Sequence, residues 1–178
     1  NESKGWMLAD TRASKSDEPQ TVLLATEDGG QIWQNIPMPN VTSFYFANEK
    51  KGWAVGKNGT MLKTTDGGIR WKQVENLNRL LGLPTESATS NFGFSDIYFL
   101  NSEMGWAVGN FYSKVSSNIG GLFMTTDGGE TWQRIPLAIQ RKTPSTRFTK
   151  GRLQTVRFSN ISNGTITGEI EEGSEKYF

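Results

Sequence analysis

The sequence predicts an all-β protein of the β-propeller class, built from four-stranded antiparallel blades. Two motifs recur and carry this prediction: Thr-x-Asp-x-Gly-x-x-Trp, and Gly-Trp followed by small and apolar residues. Each occurs three times, and the tryptophans of the second motif, Trp6, Trp53 and Trp106, lie 47 and 53 residues apart. A repeat of roughly 40–50 residues is typical of a four-stranded blade. The 20 glycines and the 11% aromatic content favour the same class, because it needs many turns and packed sheets.

The first motif predicts a tight turn between two strands. Glycine adopts positive φ without a Cβ clash, and an aspartate side chain accepts hydrogen bonds from turn amides. The tryptophan then falls on the outgoing strand, where its ring can be buried. Three carboxylates could also indicate acid–base catalysis or calcium, but each has the same place in a different blade, which favours a turn-bracing role. We therefore assign a structural role to Thr26, Asp28, Gly30, Trp33, Thr64, Asp66, Gly68, Trp71, Thr125, Asp127, Gly129 and Trp132.

Four strands, A to D, are predicted within a complete unit. Strand A is aromatic and β-branched (residues 42–46 and 96–100), and strand B is the Gly-Trp motif. Strand C precedes the aspartate turn, and strand D follows it at residues 70–74 and 131–135. The units fall roughly at residues 1–37, 41–75, 94–136 and 153–178 of a single domain.

The four units are unequal. The first supplies strands B, C and D, and the last supplies strands A and B, so the sequence holds about four blades, some of them incomplete. A propeller normally closes so that no sheet edge stays open. We therefore expect the ring to be completed by residues outside this sequence or by self-association.

Composition excludes several classes of function. There is no cysteine and no histidine, which removes disulfides, thiolate metal sites and every mechanism that needs an imidazole. The net charge of +1 gives no general attraction to nucleic acid, and no apolar run is long enough to span a membrane. We predict no cofactor and no metal, and we look for a protein partner in local clusters of charge.

The basic segment, residues 137–157, is the sharpest such cluster, because it contains no Asp or Glu. We predict that it docks an acidic or anionic partner, with Phe148 as an aromatic anchor. The alternative is a solvated loop, balanced by the acidic residues that follow it. The residues assigned to partner binding are Arg141, Lys142, Arg147, Phe148, Lys150, Arg152 and Arg157.

The two motifs together, Gly-Trp-Ala-Val-Gly and Thr-Thr-Asp-Gly-Gly-x-x-Trp, resemble those of the photosystem II assembly and stability factors of cyanobacteria and plants. The turn motif is the Asp-box, or bacterial neuraminidase repeat, and the resemblance covers about the whole chain. It implies a seven-bladed propeller, no enzymatic activity, and chaperone-like binding of a membrane protein or its precursor. It also favours an extracytoplasmic location: the periplasm, the thylakoid lumen or the exterior.

Two other functions stay open at this point. Asp-boxes also occur in sialidases and other secreted glycosidases, which need paired carboxylates or an arginine cluster in one place. No such constellation can be assembled from the sequence. A generic exported receptor or adhesion propeller is the other alternative.

Overall fold

The computed structural model describes residues 3–11, 20–74, 92–111, 120–137 and 146–174, with the backbone alone for residues 146–150 and 170–174. The described residues form four antiparallel sheets and contain no α-helix. They therefore also contain no helix with the length and apolar character needed to cross a membrane. A single 3-10 turn, Lys57–Gly59, connects two strands of the second sheet.

The sheets follow one another along the chain, and each is ordered as a meander. The predicted four-stranded antiparallel arrangement is confirmed in the second and third sheets. The strands, sheet by sheet, are β1 (Gly5–Thr11), β2 (Gln20–Thr26) and β3 (Gln34–Pro37); β4 (Val41–Phe46), β5 (Gly52–Gly56), β6 (Met61–Thr64) and β7 (Lys72–Gln73); β8 (Phe92–Phe99), β9 (Gly105–Phe111), β10 (Gly121–Thr125) and β11 (Gln133–Ile135); and β12 (Thr146–Phe158) and β13 (Gly164–Ser174).

The outer strands begin later than the sequence predicts. Strand D was expected from residues 70 and 131, but β7 begins at Lys72 and β11 at Gln133. The cause is the aspartate of the preceding turn, whose carboxylate accepts the amides of Arg70 and Thr131 at 2.9 Å. Those two amides are therefore not available to a sheet ladder.

Neighbouring sheets pack face to face, and a tryptophan–phenylalanine stack lies at the centre of each interface. The ring centroids are 4.0 Å apart for Trp6 and Phe46, 3.6 Å for Trp53 and Phe99, and 4.0 Å for Trp106 and Phe158. In every case the tryptophan lies on strand B of one sheet and the phenylalanine on strand A of the next. The three hydrophobic clusters of the protein form around these stacks.

The glycine before Trp53 and the glycine before Trp106 make room for a phenylalanine across the strand pair. Phe46 is the register partner of Gly52, and a Cβ at Gly52 would lie 2.6 Å from its ring. The same distance applies at Gly105 against Phe99. Atoms do not approach so closely without displacement, so the ring covers the bare glycine backbone. The Gly-Trp motif thus serves two contacts at once, one within its sheet and one with the next.

Candidate partner-binding surface

The three Asp-box turns share one hydrogen-bond pattern. The threonine hydroxyl donates to the aspartate carboxylate at 2.8–2.9 Å and accepts the amide of the second glycine at 2.9–3.0 Å. The carboxylate also accepts backbone amides from the residues that follow, such as Ile32 at 3.0 Å. The first and second glycines have positive φ in all three turns. The aspartates are thus occupied by their own turns.

These hydrogen bonds favour the charged form of each aspartate. The Ile32 amide is the main cause of the lowered pKa of Asp28, and the Arg70 amide is the main cause of the lowered pKa of Asp66. Burial alone would raise the pKa of Asp127, but the hydroxyl and amide of Thr131 outweigh it, and the pKa is lowered. Three carboxylates held ionised in separate turns are suited to bracing those turns. Among the described residues, no group of acidic side chains is placed to hold a metal ion.

Two tryptophans of the Gly-Trp motif tie their own sheet to the Asp-box turn of the next sheet. The Trp6 indole N–H donates to the Gly67 carbonyl, and the Trp53 indole N–H donates to the Gly128 carbonyl, both at 3.0 Å. Trp33 and Trp71, which lie in the turns themselves, donate to carbonyls of their own turns. These indoles therefore brace the turns and bridge neighbouring sheets.

One described cavity can be compared with the paired carboxylates that a glycosidase needs. A cavity of about 560 Å³ lies between the first and second sheets and is lined by residues of β1, β2 and β4 and by the segments next to them. Among the described residues, its lining has one carboxylate, Asp10, which accepts the Thr21 hydroxyl at 3.2 Å. Glycoside hydrolysis normally needs two carboxyl groups facing the same bond. The described part of the lining does not supply that pair.

Asp96 ties the inner strands of three sheets together. It lies on β8, is 6% exposed, and accepts hydrogen bonds from Ser43 of β4 at 2.8 Å and from the Val156 amide of β12 at 3.0 Å. It also forms an ion pair with Arg157. No role was assigned to Asp96 from the sequence. Aligning the A strands would have singled it out, because the equivalent positions hold Ser43 and Thr155.

Residues 146–157 of the basic segment lie on β12, so this part of the segment is a strand and not a loop. There β12 pairs with β13, and the register sets Phe148 opposite Glu172, Lys150 opposite Glu171 and Arg152 opposite Glu169. Acidic residues thus lie across the ladder from the basic ones. The β12–β13 ribbon has strands of 13 and 11 residues. Leu153, Val156 and Ile166 of this ribbon pack in the hydrophobic cluster that includes Trp106 of the third sheet.

The predicted binding residues are distributed unevenly over this ribbon. Arg147, Phe148, Lys150, Arg152 and Arg157 all lie on β12. The side chain of Arg152 is exposed, and that of Arg157 is 59% exposed although it is paired with Asp96. Arg141 and Lys142 lie outside the described residues. The assignment of these seven residues to partner binding stays a prediction.

Comparisons with known proteins connect this geometry to one family. The family model described as photosynthesis system II assembly factor YCF48 matches residues 38–152. The photosystem II assembly lipoprotein Ycf48 of Synechococcus sp. (strain CC9902) is 26% identical over 114 residues, which cover 61% of this chain and 29% of that protein. The chloroplastic photosystem II stability/assembly factor HCF136 of Arabidopsis thaliana is 33% identical over 91 residues, covering 51% of this chain and 19% of that protein. The chain therefore spans less than a third of either relative.

A solved structure supports the same connection. It is described as YCF48 bound to D1 peptide, and it is 26% identical to this chain, with a TM-score of 0.51. The match covers 75% of this chain and 36% of that one. The propeller fold class predicted from the sequence is confirmed by this similarity together with the four-stranded sheets.

Proposed function

The chain belongs to the family of the photosynthesis system II assembly factor YCF48, and from that premise we propose that it is a non-catalytic, chaperone-like propeller that binds a membrane protein during assembly. The family match over residues 38–152 carries the proposal, because it spans the second and third sheets and reaches β12. The related proteins are named as assembly factors and not as enzymes.

The partner in this proposal is a peptide segment of a membrane protein or of its precursor. The support is a solved relative that holds a D1 peptide. Propellers present loops and strand ends on a rigid scaffold, which suits the binding of an extended segment without chemistry. An extracytoplasmic location is part of the proposal, since one relative is a lipoprotein and another is chloroplastic.

The binding surface in this proposal is the β12–β13 ribbon with the rest of the basic segment. Its support is the concentration of Arg147, Lys150, Arg152 and Arg157 on one strand, with Phe148 among them. Arg and aromatic residues are enriched where binding energy concentrates at interfaces. Charge complementarity would mainly raise the rate of encounter with an acidic segment. The facing glutamates of β13 reduce the net charge, so we expect binding of moderate strength and strong dependence on salt.

Fluorescence anisotropy with a labelled D1 peptide tests the proposal. We expect saturable binding to the full chain that weakens several-fold between 50 and 500 mM salt, because screening is stronger at higher ionic strength. Reversing Arg141, Arg147 and Arg152 to Glu should raise Kd by at least about tenfold, which corresponds to about 1.4 kcal/mol.

The matched control reverses the exposed Lys50, Lys51 and Lys72 to Glu, which changes the net charge equally on other parts of the surface. We expect it to keep at least half of the wild-type affinity. Absence of peptide binding by the wild-type chain would contradict the proposed function. Equal losses in both triple variants would contradict the choice of surface.

A further inference from the structure

Two junctions between neighbouring sheets share the same central contacts. The first junction lies between the first and second sheets, and the second junction lies between the second and third sheets. Each contains a tryptophan–phenylalanine stack and an indole bonded to a glycine carbonyl of the following Asp-box turn. These shared contacts would join any two of the sheets. Discrimination between one neighbour and another therefore has to come from positions that vary.

Two variable positions meet at the outer part of each junction. The first is the strand C residue that pairs with the tryptophan of strand B: Ala25 in the first sheet and Lys63 in the second. The second directly follows the two glycines in the Asp-box turn of the next sheet, where the residues are Ile69 and Glu130. Ala25 and Ile69 line one cleft, and Lys63 contacts Glu130. The chain supplies the strands and turns on both sides of these contacts.

The pair at the second junction is ionic. The Lys63 ammonium donates a hydrogen bond to the Glu130 carboxylate and forms an ion pair with it. The side chain of Lys63 is only 19% exposed, so its charge is partly removed from water and needs a partner. Lys72 lies directly across the ladder from Lys63, and like charges in that arrangement destabilise a sheet. Glu130 therefore offsets a repulsion within the second sheet.

The pair at the first junction is apolar. Ala25 and Ile69 lie in the lining of a narrow cleft of about 90 Å³ between the two sheets. Lys4 also lines this cleft, but it forms an ion pair with Glu27 of its own sheet. A glutamate in the place of Ile69 would therefore find no lysine at the position that holds Lys63 in the second junction.

We propose that these two positions select which sheets pack together, so that the similar repeats assemble in chain order and do not exchange with the repeats of another copy. The inference does not depend on the proposed peptide binding. Exchange between similar repeats is a characteristic error in the folding of repeat proteins. Selection against it needs an unfavourable element in the wrong arrangement as well as a favourable one in the right arrangement.

Both wrong arrangements contain such an unfavourable element. If the turn of the third sheet packed on the first sheet, Glu130 would lie beside Ala25 and lose its cation. If the turn of the second sheet packed on the second sheet of another copy, Ile69 would lie against Lys63. The two lysines of that sheet, Lys63 and Lys72, would then face each other without a carboxylate. The native order satisfies both junctions.

Refolding two labelled populations together tests the inference. The chain has no cysteine, so one introduced thiol can carry each dye. The donor is attached to Thr65→Cys and the acceptor to Thr126→Cys, at exposed positions of two Asp-box turns. The full chains are unfolded in urea, mixed and refolded, and energy transfer then reports sheets of one molecule packed on another. A mixture of separately refolded chains gives the background from association of folded molecules.

Variants that make the two junctions alike should increase the exchange. Lys63→Ala with Glu130→Ile gives the second junction the apolar pair of the first. We expect transfer above background to rise at least about threefold, which is within the range that a partly exposed ion pair can supply. Ala25→Lys with Ile69→Glu makes both junctions ionic and should raise the transfer as well. This variant keeps the inference testable if the first one fails to fold, which urea denaturation shows.

The matched control exchanges the charges of the ion pair. Lys63→Glu with Glu130→Lys keeps the second junction ionic and different from the first, so its transfer should stay at the wild-type level. Transfer at the wild-type level in either folded variant with like junctions would overturn the inference. A rise in the charge-exchanged control as large as in those variants would overturn it too, because the complementarity of the pair would then have no effect. A rise confined to the variants with like junctions supports it.

Discussion

The interface between the second and third sheets and the outward side of the fourth sheet hold equivalent positions of the repeat but have opposite chemistry. At the interface, Trp53 is fully buried and stacks on Phe99. On the fourth sheet, the equivalent residue is Thr165, which is exposed beside Arg157. The comparison teaches that one strand geometry accommodates two kinds of side-chain pair. The aromatic pair joins sheets, and the fourth sheet carries a polar pair at the same positions.

The largest effect is expected from breaking the aromatic interface with Trp53→Ala. The ring stacks on Phe99 at 3.6 Å and its N–H bonds to the Gly128 carbonyl, so the substitution opens a cavity and leaves that carbonyl without its donor. We expect a loss of about 3–5 kcal/mol in the free energy of unfolding, measured by urea denaturation.

Trp33→Ala is the control for this prediction, because Trp33 is 39% exposed and stays within its own turn. It should cost about 1 kcal/mol, in keeping with the smaller area that it buries. Equal losses in the two variants would contradict the view that the Gly-Trp tryptophans hold the sheets together.

An intermediate effect is expected from Asp96→Ala, which breaks the connection between the two regions. The substitution removes the acceptor of the buried Val156 amide and the ion-pair partner of Arg157. We expect a loss of about 2–3 kcal/mol in the free energy of unfolding, because a buried donor without a partner costs more than an average hydrogen bond contributes. Urea denaturation measures it.

Ser43→Ala removes one contact of the same carboxylate and should cost about 1 kcal/mol or less. A loss for Asp96→Ala no larger than that for Ser43→Ala would show that the link to β12 contributes nothing.

The smallest effect concerns the Asp-box turns. The first three sheets each contain one, and the described part of the fourth sheet does not. The pKa of Asp66 is lowered from 3.8, chiefly by the Arg70 amide. A lowered pKa in the folded state means that stability is present above pH 3.8 and is lost as the pH falls through the folded value. We expect the free energy of unfolding to decline below about pH 3.8, and Asp66→Asn to make this decline shallower.

Urea denaturation at a series of pH values between 7 and 2.5 checks this expectation, with Asp10→Asn as the control outside the turns. An identical slope in wild type and Asp66→Asn would mean that the turn hydrogen bonds do not depend on the charge of the aspartate.

Local patterns made the fold predictable, and contacts between distant parts of the chain escaped prediction. The Asp-box turns and the Gly-Trp strands could be predicted because spacing, glycine and tryptophan act within a few residues of one another. The late start of β7 could have been foreseen only by asking where the Arg70 amide donates. The ion pair of Asp96 with Arg157 joins residues 61 positions apart on different sheets, and no periodic signal marks it.

The basic segment shows that charge can be predicted from sequence when strand register cannot. Its charge was evident, but the register that sets Lys150 opposite Glu171 depends on a hairpin that includes a bulge after Phe148. Side-chain period alone does not locate such a bulge, because one extra residue reverses which face each later residue occupies. The sequence therefore predicts the basic segment as a stretch of charged residues, and it does not predict which of their side chains share a face of the sheet.

The bonds from Trp6 to the Gly67 carbonyl and from Trp53 to the Gly128 carbonyl give the stack a direction. The first and second sheets each offer an indole to the sheet that follows, and the second and third sheets each present a glycine carbonyl and a phenylalanine ring to the sheet before. These two junctions are thus of the head-to-tail kind, in which successive repeats have the same orientation. If one whole repeat were duplicated, the added sheet would have the same two interfaces as its neighbours and could pack against both. These interfaces are therefore compatible with an added repeat in the same orientation, and they would not match a repeat in the inverted orientation.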